Sequence, residues 1–268
     1  MRAWPIIIRL LFMLFAAGPA RAAEAVDVAL IVSVDVSGSV DDRRFALQMD
    51  GVAKALEDSG VLAAILGGPH KRIAFTLVQW SDRAREGVPW IVIGSRADAA
   101  EVAARIRRLQ RPAGEFTCVA EMMKHVLEET LPDLPLRAGK LVMDVSGDGV
   151  DNCDGDAATA EMRNALLATG MTINGLPVNE GDPAAPVGAG AYRAPGRPFQ
   201  PRELPTDPVT LDSWYRKNVI GGPGAFILPA KGYEDFSRAI RLKFIAEISD
   251  RRFAPARFAE RSTNQTSP

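Results

Sequence analysis

The sequence predicts an α/β fold in which helices cover both faces of a doubly wound, mainly parallel sheet. Short apolar runs alternate with amphipathic stretches from residue 26 to residue 248, which is the pattern of parallel strands joined by helices. Of the 268 residues, 47% are hydrophobic, as in an ordinary globular core. We therefore predict one domain over residues 23–250.

Six apolar runs have the length of a β-strand. They lie at 26–34, 73–80, 88–93, 140–145, 171–176 and 225–229. The second and third runs are so close in sequence, around Gly87, that they predict a hairpin and hence one antiparallel edge strand. The remaining strands are predicted to be parallel.

Between the runs, apolar residues recur at helical spacing. The stripes are Phe45, Met49, Val52, Ala53 and Leu56, then Val119, Met122, Met123, Val126 and Leu127, and finally Phe236, Ile240, Phe244 and Ile248. We interpret these methionine and aromatic stripes as core residues rather than as a cofactor site. A shorter helix is predicted near residues 211–218.

The two ends of the chain differ in composition from the domain. Arginines precede the apolar residues 10–17, and Ala20-Arg21-Ala22 has the small residues of a signal-peptidase site, so residues 1–22 are predicted to be a signal peptide. The apolar run is too short to cross a bilayer. We therefore expect an exported protein, periplasmic or secreted, without a stable membrane anchor. Residues 251–268 hold arginines among Pro, Ser and Thr, which predicts a disordered tail.

A Pro/Gly-rich insertion occupies residues 181–205. Its six prolines and four glycines are too many for a helix or a central strand, so we predict a long loop after the fifth run. Long loops in compact domains are often functional, but flexible filler is also common. Both interpretations of the insertion stay open.

The charge balance excludes one class of function, and the cysteines suggest an oxidising compartment. Of the 32 basic side chains, three lie in the predicted signal peptide, which leaves the mature chain acidic and argues against nucleic-acid binding. Export would allow Cys118 and Cys153 to form a disulfide, although two buried thiols fit the sequence equally well. Together with His70 and His125 they match no common zinc-site spacing.

The run Asp35-Val36-Ser37-Gly38-Ser39 follows the first predicted strand. One carboxylate and two hydroxyls alternate with small residues, so an irregular turn can direct all three oxygens at one ion. Oxygen ligands of this kind favour Mg²⁺, Mn²⁺ or Ca²⁺ over zinc or copper. The alternative is that Asp35 or Ser37 caps a helix that begins near Asp41.

Two further oxygen donors are predicted at the same edge of the sheet. In open parallel sheets, ligands bind outside the carboxyl ends of the strands. Asp148 follows the fourth run at that edge, and Thr117 opens the preceding helix, which it is equally suited to cap. Asp144 and Asp151 are the alternatives to Asp148, and Ser146 is a further candidate.

An acidic segment extends from residue 148 to residue 156. Its acids and glycines fit no register of a calcium-binding EF-hand loop, so we predict a surface-exposed acidic turn. Asp144, by contrast, lies inside an apolar run and is predicted to be a buried acid paired with a polar neighbour. Cys153 lies in the turn and Cys118 follows Thr117, so a disulfide between them would clamp two loops of the site.

Asp35-x-Ser37-x-Ser39, Thr117 and Asp148 together resemble the metal-ion-dependent adhesion site (MIDAS) of the von Willebrand factor A domain, which has a Rossmann-type fold. The resemblance covers roughly residues 26–248 and departs after the fourth strand, where typical members carry Thr-Asp-Gly. It implies a Mg²⁺ cofactor, with Mn²⁺ or Ca²⁺ as alternatives, bound directly by the hydroxyls and largely through water by the acids. More narrowly, residues 144–149, 173–176 and 219–226 resemble an exported bacterial family that contains this domain and has no assigned function.

The resemblance implies an adhesion-type, protein-binding function. Two carboxylates only partly offset a divalent cation, so the expected partner is a protein whose Asp or Glu side chain completes the coordination. We predict no enzymatic activity. The alternatives are a Mg²⁺-dependent phosphatase-like hydrolase and an envelope structural protein stabilised by the ion. Haloacid-dehalogenase-like phosphatases need Asp-x-Asp, and Ser37 stands at the second of these positions.

Overall fold

A computed structural model describes residues 24–249, apart from 189, 193–197, 199 and 203–208. The predicted signal peptide, the predicted tail and part of the insertion therefore lie outside the described residues. Within the described ranges, none of the helices has both the length and the apolar character needed to cross a membrane.

The sheet has five strands, which lie in the order β3-β2-β1-β4-β5. The strands are β1 (Ala25–Asp35), β2 (Ile73–Trp80), β3 (Ala84–Ile93), β4 (Arg137–Gly147) and β5 (Thr172–Pro177). All neighbours pair in parallel except β3, which runs antiparallel to β2 at one edge. The predicted fold class and its antiparallel edge strand are both confirmed.

Helices cover both faces of this sheet. One face carries α1 (Asp42–Glu57), α2 (Ser59–Leu66), α3 (Arg96–Ile106) and α7 (Phe236–Ser249), and the other carries α4 (Val119–His125), α5 (Gly155–Ala168) and α6 (Leu211–Trp214). Single π-helical turns extend α4 (Val126–Thr130) and α6 (Tyr215–Val219), and a 3-10 turn (Tyr233–Asp235) leads into α7. The insertion contains a small antiparallel pair, β6 (Gly190–Tyr192) and β7 (Gln200–Arg202).

The two-sided cover explains the composition of the central strand. In β1, Leu30 and Val32 pack in the core on the α1 and α7 side, whereas Ile31 packs in the core on the α4 and α5 side. A strand buried on both faces needs a nearly continuous apolar run, which is what this part of the sequence supplies. The stripes predicted to be core are buried as well, with Leu127 only partly so.

Two details differ from the prediction. The hairpin turns at residues 81–83, because Trp80 pairs with Ala84, and Gly87 lies inside β3. The sixth predicted strand, 225–229, is wrong as a strand, since the segment follows β5 through isolated bridges only. Its ladder is interrupted because the Phe226 N–H donates to the Asn174 side chain (3.0 Å) and Pro177, at the end of β5, has no N–H to donate.

Candidate metal-binding site

Neighbouring parallel strands bring the predicted site residues to one edge of the sheet. Strands β1 and β4 pair in a register that sets Val34 opposite Ser146, so Asp35 and Asp148 emerge side by side. The loop after β1 ends at Asp41, whose side chain accepts from the Arg44 N–H (2.8 Å) and caps α1. Because Asp41 caps the helix, Asp35 and Ser37 remain available to the candidate ion site.

A chain of hydroxyl contacts links the five predicted residues. The Oγ1 atom of Thr117 lies 3.4 Å from Ser37 Oγ, which in turn lies 3.2 Å from Ser39 Oγ. Ser39 donates to Asp148 Oδ1 (2.7 Å), and Asp35 Oδ1 accepts from the Ser37 N–H (2.8 Å). The cluster extends from the fully buried Asp35 to the exposed Ser39, and so it opens to the surface.

Asp35 is a buried acid whose burial is only partly compensated by hydrogen bonds. Within the described residues its Oδ2 atom has no hydrogen-bond partner. Burial and, secondarily, the negative charge of Asp148 raise the pKa of Asp35 to about 8, although hydrogen bonds from Ser37 and the Asp148 backbone partly lower it. A buried carboxylate oxygen without a partner is costly, and a cation beside it removes that cost.

The backbone next to Asp35 is shaped to this carboxylate. A Cβ atom on Gly147 would lie 2.9 Å from Asp35 Oδ2, so only glycine lets β4 approach so closely. Across the described residues no three His, Cys, Asp or Glu side chains are placed to hold a metal ion, and here two acids are supplemented by hydroxyls. The residues present therefore fit a hard divalent cation with oxygen ligands.

A second loop pair fixes Thr117. The residue does not cap α4, because the Ala120 N–H at the start of that helix is bound by Asp151 Oδ2 (2.9 Å). Instead the Thr117 N–H donates to Asn152 Oδ1 (2.8 Å), and the Asn152 N–H donates to the Thr117 carbonyl (3.1 Å). The hydroxyl of Thr117 is thereby left to contact Ser37.

Cys118 and Cys153 lie next to this loop pair. They form a disulfide with a Cα–Cα distance of 5.1 Å, so the covalent link adjoins both Thr117 and Asn152. A bridge over a separation of 35 residues restricts the unfolded chain and stabilises the fold by about 3–4 kcal/mol. Paired cysteines provide no thiolate for a zinc site with His70 or His125.

The acidic segment is not the exposed turn that the sequence predicts, because Asp151 is fully buried. Its Oδ1 atom accepts from the N–H groups of Cys153 (3.0 Å), Asp154 (2.8 Å) and Gly155 (2.8 Å). One carboxylate thus satisfies the amino ends of both α4 and α5, where a negative charge is favoured. Asp151 has a structural role at this position.

Asp144 and Ser146 also lie outside the cluster. Asp144 is buried on the α7 side of the sheet, where its Oδ2 atom lies 3.6 Å from Lys243 Nζ, as expected for an acid with a polar neighbour. Ser146 donates to the Ser33 carbonyl (3.2 Å) and does not reach the site. Of the candidate acids after β4, Asp148 alone contacts the Asp35-x-Ser37-x-Ser39 turn.

Tyr233 contacts the candidate site, and sequence reasoning missed it. Its hydroxyl donates to Asp148 Oδ2 (3.0 Å), so both oxygens of this carboxylate are held, one by Ser39 and the other by Tyr233. No motif connects the turn before α7 with the strand ends. The only available signal was general, since a buried tyrosine needs a partner for its hydroxyl.

Replacing Tyr233 with Phe is expected to weaken Mg²⁺ binding about tenfold, because Asp148 loses the hydrogen bond that orients it. Calorimetric titration of the variant with Mg²⁺ measures this effect. Thermal melting in chelator separates a loss of affinity from a loss of fold. An unchanged Mg²⁺ affinity would show that Tyr233 does not position the acid.

A groove of about 510 Å³ adjoins the exposed side of the cluster. Ser39, Thr117 and Asp148 line it on one side, and residues 182–183 and 185–188 from the start of the insertion line it on another. The insertion is anchored there by a hydrogen bond from the Val187 N–H to the Val209 carbonyl (2.8 Å). This part of the insertion therefore borders the candidate site.

The model of a protein family described as "Protein of unknown function (DUF1194)" matches residues 25–252. The chain belongs to this family. The match includes both strands that carry the candidate site and the turn that supplies Tyr233. No curated protein matches the DUF1194 chain.

Several solved structures share the fold of this DUF1194 protein. Proximal thread matrix protein 1 from the mussel byssus, with a zinc-occupied MIDAS motif, aligns with a TM-score of 0.55 and 16% identity over 84% of this chain and 49% of that protein. A von Willebrand factor type A structure from Catenulispora acidiphila aligns with a TM-score of 0.50 and 14% identity, over 84% of this chain and 43% of that protein. The pilus adhesin SpaC from Lactobacillus rhamnosus GG, in its open conformation, aligns with a TM-score of 0.54 and 13% identity, over 85% of this chain and 31% of that protein.

These likenesses establish a von Willebrand factor A-like fold for the DUF1194 chain. The chain spans about half of the mussel protein and about a third of the pilus adhesin. At such low identity, the likeness shows the fold and not the binding activity.

Proposed function

We propose that this DUF1194 protein is an exported, Mg²⁺-dependent protein-binding module. Asp35, Ser37, Ser39, Thr117 and Asp148 would hold the ion. The observation that supports this most directly is the buried Asp35 carboxylate, whose Oδ2 atom has no hydrogen-bond partner among the described residues although it adjoins a cluster of hydroxyls. The zinc-occupied MIDAS motif of the mussel protein adds support from a similar fold.

The donor set favours Mg²⁺, with Mn²⁺ or Ca²⁺ as alternatives, because every candidate ligand is a hard oxygen. A bound ion would offer an incompletely neutralised positive charge to a further oxygen ligand at the protein surface. Asp148 would be kept in place by Ser39 and Tyr233, and Asp35 by the Ser37 N–H. In this function these residues would hold the ion and orient its ligands, and none of them needs to transfer a proton.

The partner would be a protein that presents an Asp or Glu side chain to the ion. The groove beside Ser39 and Asp148 gives such a side chain access from solvent and gives the flanking residues a surface to lie on. A matrix protein and a pilus adhesin are among the proteins with a similar fold, which supports an adhesion-type role in the periplasm or outside the cell.

The geometry gives less support to a hydrolase. Position 37, where a haloacid-dehalogenase-like phosphatase needs a general acid, holds a serine whose hydroxyl contacts two other hydroxyls. A structural envelope protein remains distinguishable by experiment. In that case Mg²⁺ would raise the melting temperature without changing any protein interaction.

Affinity capture from an envelope extract tests the proposal. The immobilised mature protein is expected to retain a specific set of proteins in Mg²⁺ and to release it in chelator, whereas Asp35→Asn retains none of that set. Calorimetric titration with Mg²⁺ and Mn²⁺ shows first whether the protein used for capture binds the ion. Retention of the same proteins in chelator would contradict a metal-dependent binding function.

A further inference from the structure

We infer that Arg44 forms a second carboxylate-binding position beside the candidate ion site, so that the preferred partner segment carries two acidic side chains. One carboxylate would bind at the ion and the other at the guanidinium. This inference rests on the proposed function and names the chemistry of its partner more closely.

The position of Arg44 is fixed by the loop that carries the site. The residue lies in the first turn of α1, and its Nη1 atom donates to the Ser39 carbonyl (2.5 Å). Ser39 also contacts Asp148, so the guanidinium is joined to the edge of the ion site by a single residue. The Arg44 side chain is 32% exposed and lines the groove.

The charges of the groove leave one place for a second anion. Among the described residues that line it, Arg44 is the only basic one, and the acidic ones are Asp148, Glu180 and Asp182. Along this described lining, Arg44 is therefore the one side chain whose charge attracts a ligand carboxylate that does not reach the ion. The planar guanidinium suits such a group because it can bind both carboxylate oxygens at once.

The contacts of the Arg44 side chain restrict its motion but leave it able to bind a ligand. Its guanidinium lies over the ring of Tyr233, 5.5 Å from the centroid, and this stacking limits its motion. Its ion pair with Glu180 is long (3.4 Å between Nη2 and Oε2) and partly exposed. Exposed pairs of this kind contribute little, at most about 1 kcal/mol, so a closer carboxylate from a partner can replace Glu180.

The described residues engage only part of the donor capacity of this side chain. Arginine has five N–H donors, and within the described part of the chain Arg44 makes two side-chain hydrogen bonds, to Ser39 and Glu180. Release of Glu180 would leave the hydrogen bond from Arg44 to the Ser39 carbonyl intact. The guanidinium can therefore bind a ligand without disturbing the loop of the ion site.

Short capped glycine peptides test this inference on the mature protein in Mg²⁺. One peptide carries a single aspartate, and three others carry two aspartates that are adjacent or separated by one or two glycines. The best two-aspartate peptide is expected to bind about tenfold more tightly than the single-aspartate peptide, as a charge-assisted hydrogen bond predicts. Calorimetry or NMR titration measures the affinities.

Three variants assign the effect to Arg44. Arg44→Gln is expected to reduce the two-aspartate affinity to the single-aspartate value measured on the same variant in saturating Mg²⁺, since the charge that binds the second carboxylate is removed. Glu180→Gln is expected to strengthen two-aspartate binding, because the competing carboxylate is removed. Arg43→Gln is the matched control, since this neighbouring arginine is 74% exposed, pairs with Glu234 and does not line the groove.

The outcomes separate this inference from the proposed function. If both kinds of peptide bind only with Mg²⁺ but with equal affinity, Arg44 is not a second site. The same conclusion follows if Glu180→Gln weakens two-aspartate binding, a result that stands even if Arg44→Gln fails to fold. If neither peptide binds, or chelator has no effect, the proposed function is wrong and this inference falls with it.

Discussion

Replacing Asp35 with Asn is expected to abolish Mg²⁺ binding and, at the same time, to stabilise the metal-free protein. The affinity should fall at least about 100-fold, since loss of a direct or water-linked acid exceeds the effect of an outer hydrogen bond. The amide keeps an acceptor for the Ser37 N–H but carries no charge to repel Asp148. We expect the metal-free variant to gain about 1–3 kcal/mol at pH 8.

The same substitution changes the pH dependence of stability. The pKa of Asp35 rises from 3.8 to about 8 on folding, so between these values the native state holds a proton that the unfolded state has lost. The Asp35 contribution therefore lowers the stability of the metal-free protein as pH rises through this window. In Asp35→Asn that part of the slope disappears, which chemical denaturation in chelator at several pH values can measure.

Asp41→Asn is the matched control for Asp35→Asn. Asp41 lies at the end of the same loop, and asparagine caps a helix about as well as aspartate, so both Mg²⁺ affinity and stability should stay near the wild-type values. Equal heats of Mg²⁺ binding for the wild type and Asp35→Asn would remove Asp35 from the ion site.

Replacing Lys243 with Met is expected to destabilise the fold by about 3–5 kcal/mol, because it removes the buried positive charge that Asp144 and Glu247 share. Lys243 Nζ lies 3.6 Å from Asp144 Oδ2 and 3.1 Å from Glu247 Oε1, and all three side chains are buried. Burial raises the pKa of both acids, while the Lys243 charge partly lowers it. Urea denaturation at neutral pH measures the loss.

Neutral amides at the two acids provide the control for Lys243→Met. With Asp144→Asn and Glu247→Gln added, no charge is left unpaired and most of the stability should return. The Gln side chain keeps the acceptor for Asn174, which donates to Glu247 Oε1 (2.9 Å). The single variant should also lose less stability at low pH, where the acids are protonated. A cost below about 1 kcal/mol for Lys243→Met would contradict an energetic role for this ion network.

The sequence was sufficient for the architecture because burial on two faces imposes a recognisable pattern. The apolar runs in β1 and β2 have nearly every residue buried, so strand and core coincide. Segment 225–229 has a similar composition but forms no regular ladder, since the side chain of Asn174 takes the N–H of Phe226. Whether a side chain or a backbone carbonyl accepts this N–H depends on tertiary packing, which leaves no periodic signal in the sequence.

The site was predictable only where its residues adjoin strand ends. Asp35 and Asp148 follow directly from the rule on carboxyl ends of parallel strands. Tyr233 and Arg44 reach the site through the packing of α7 and α1, which no local spacing encodes. The exposure of Asp151 was predicted wrongly because an acidic segment usually faces solvent. This side chain is buried instead and accepts hydrogen bonds from four backbone N–H groups.

The two hydroxyls that hold Asp148 come from opposite ends of the domain, Ser39 near its start and Tyr233 near its finish. During synthesis, an emerging polypeptide cannot complete this arrangement until almost all of the domain has appeared. A partly synthesised chain would therefore lack the complete site that is proposed to bind a partner. Under the proposed function, partner binding would thus depend on completed folding of the domain.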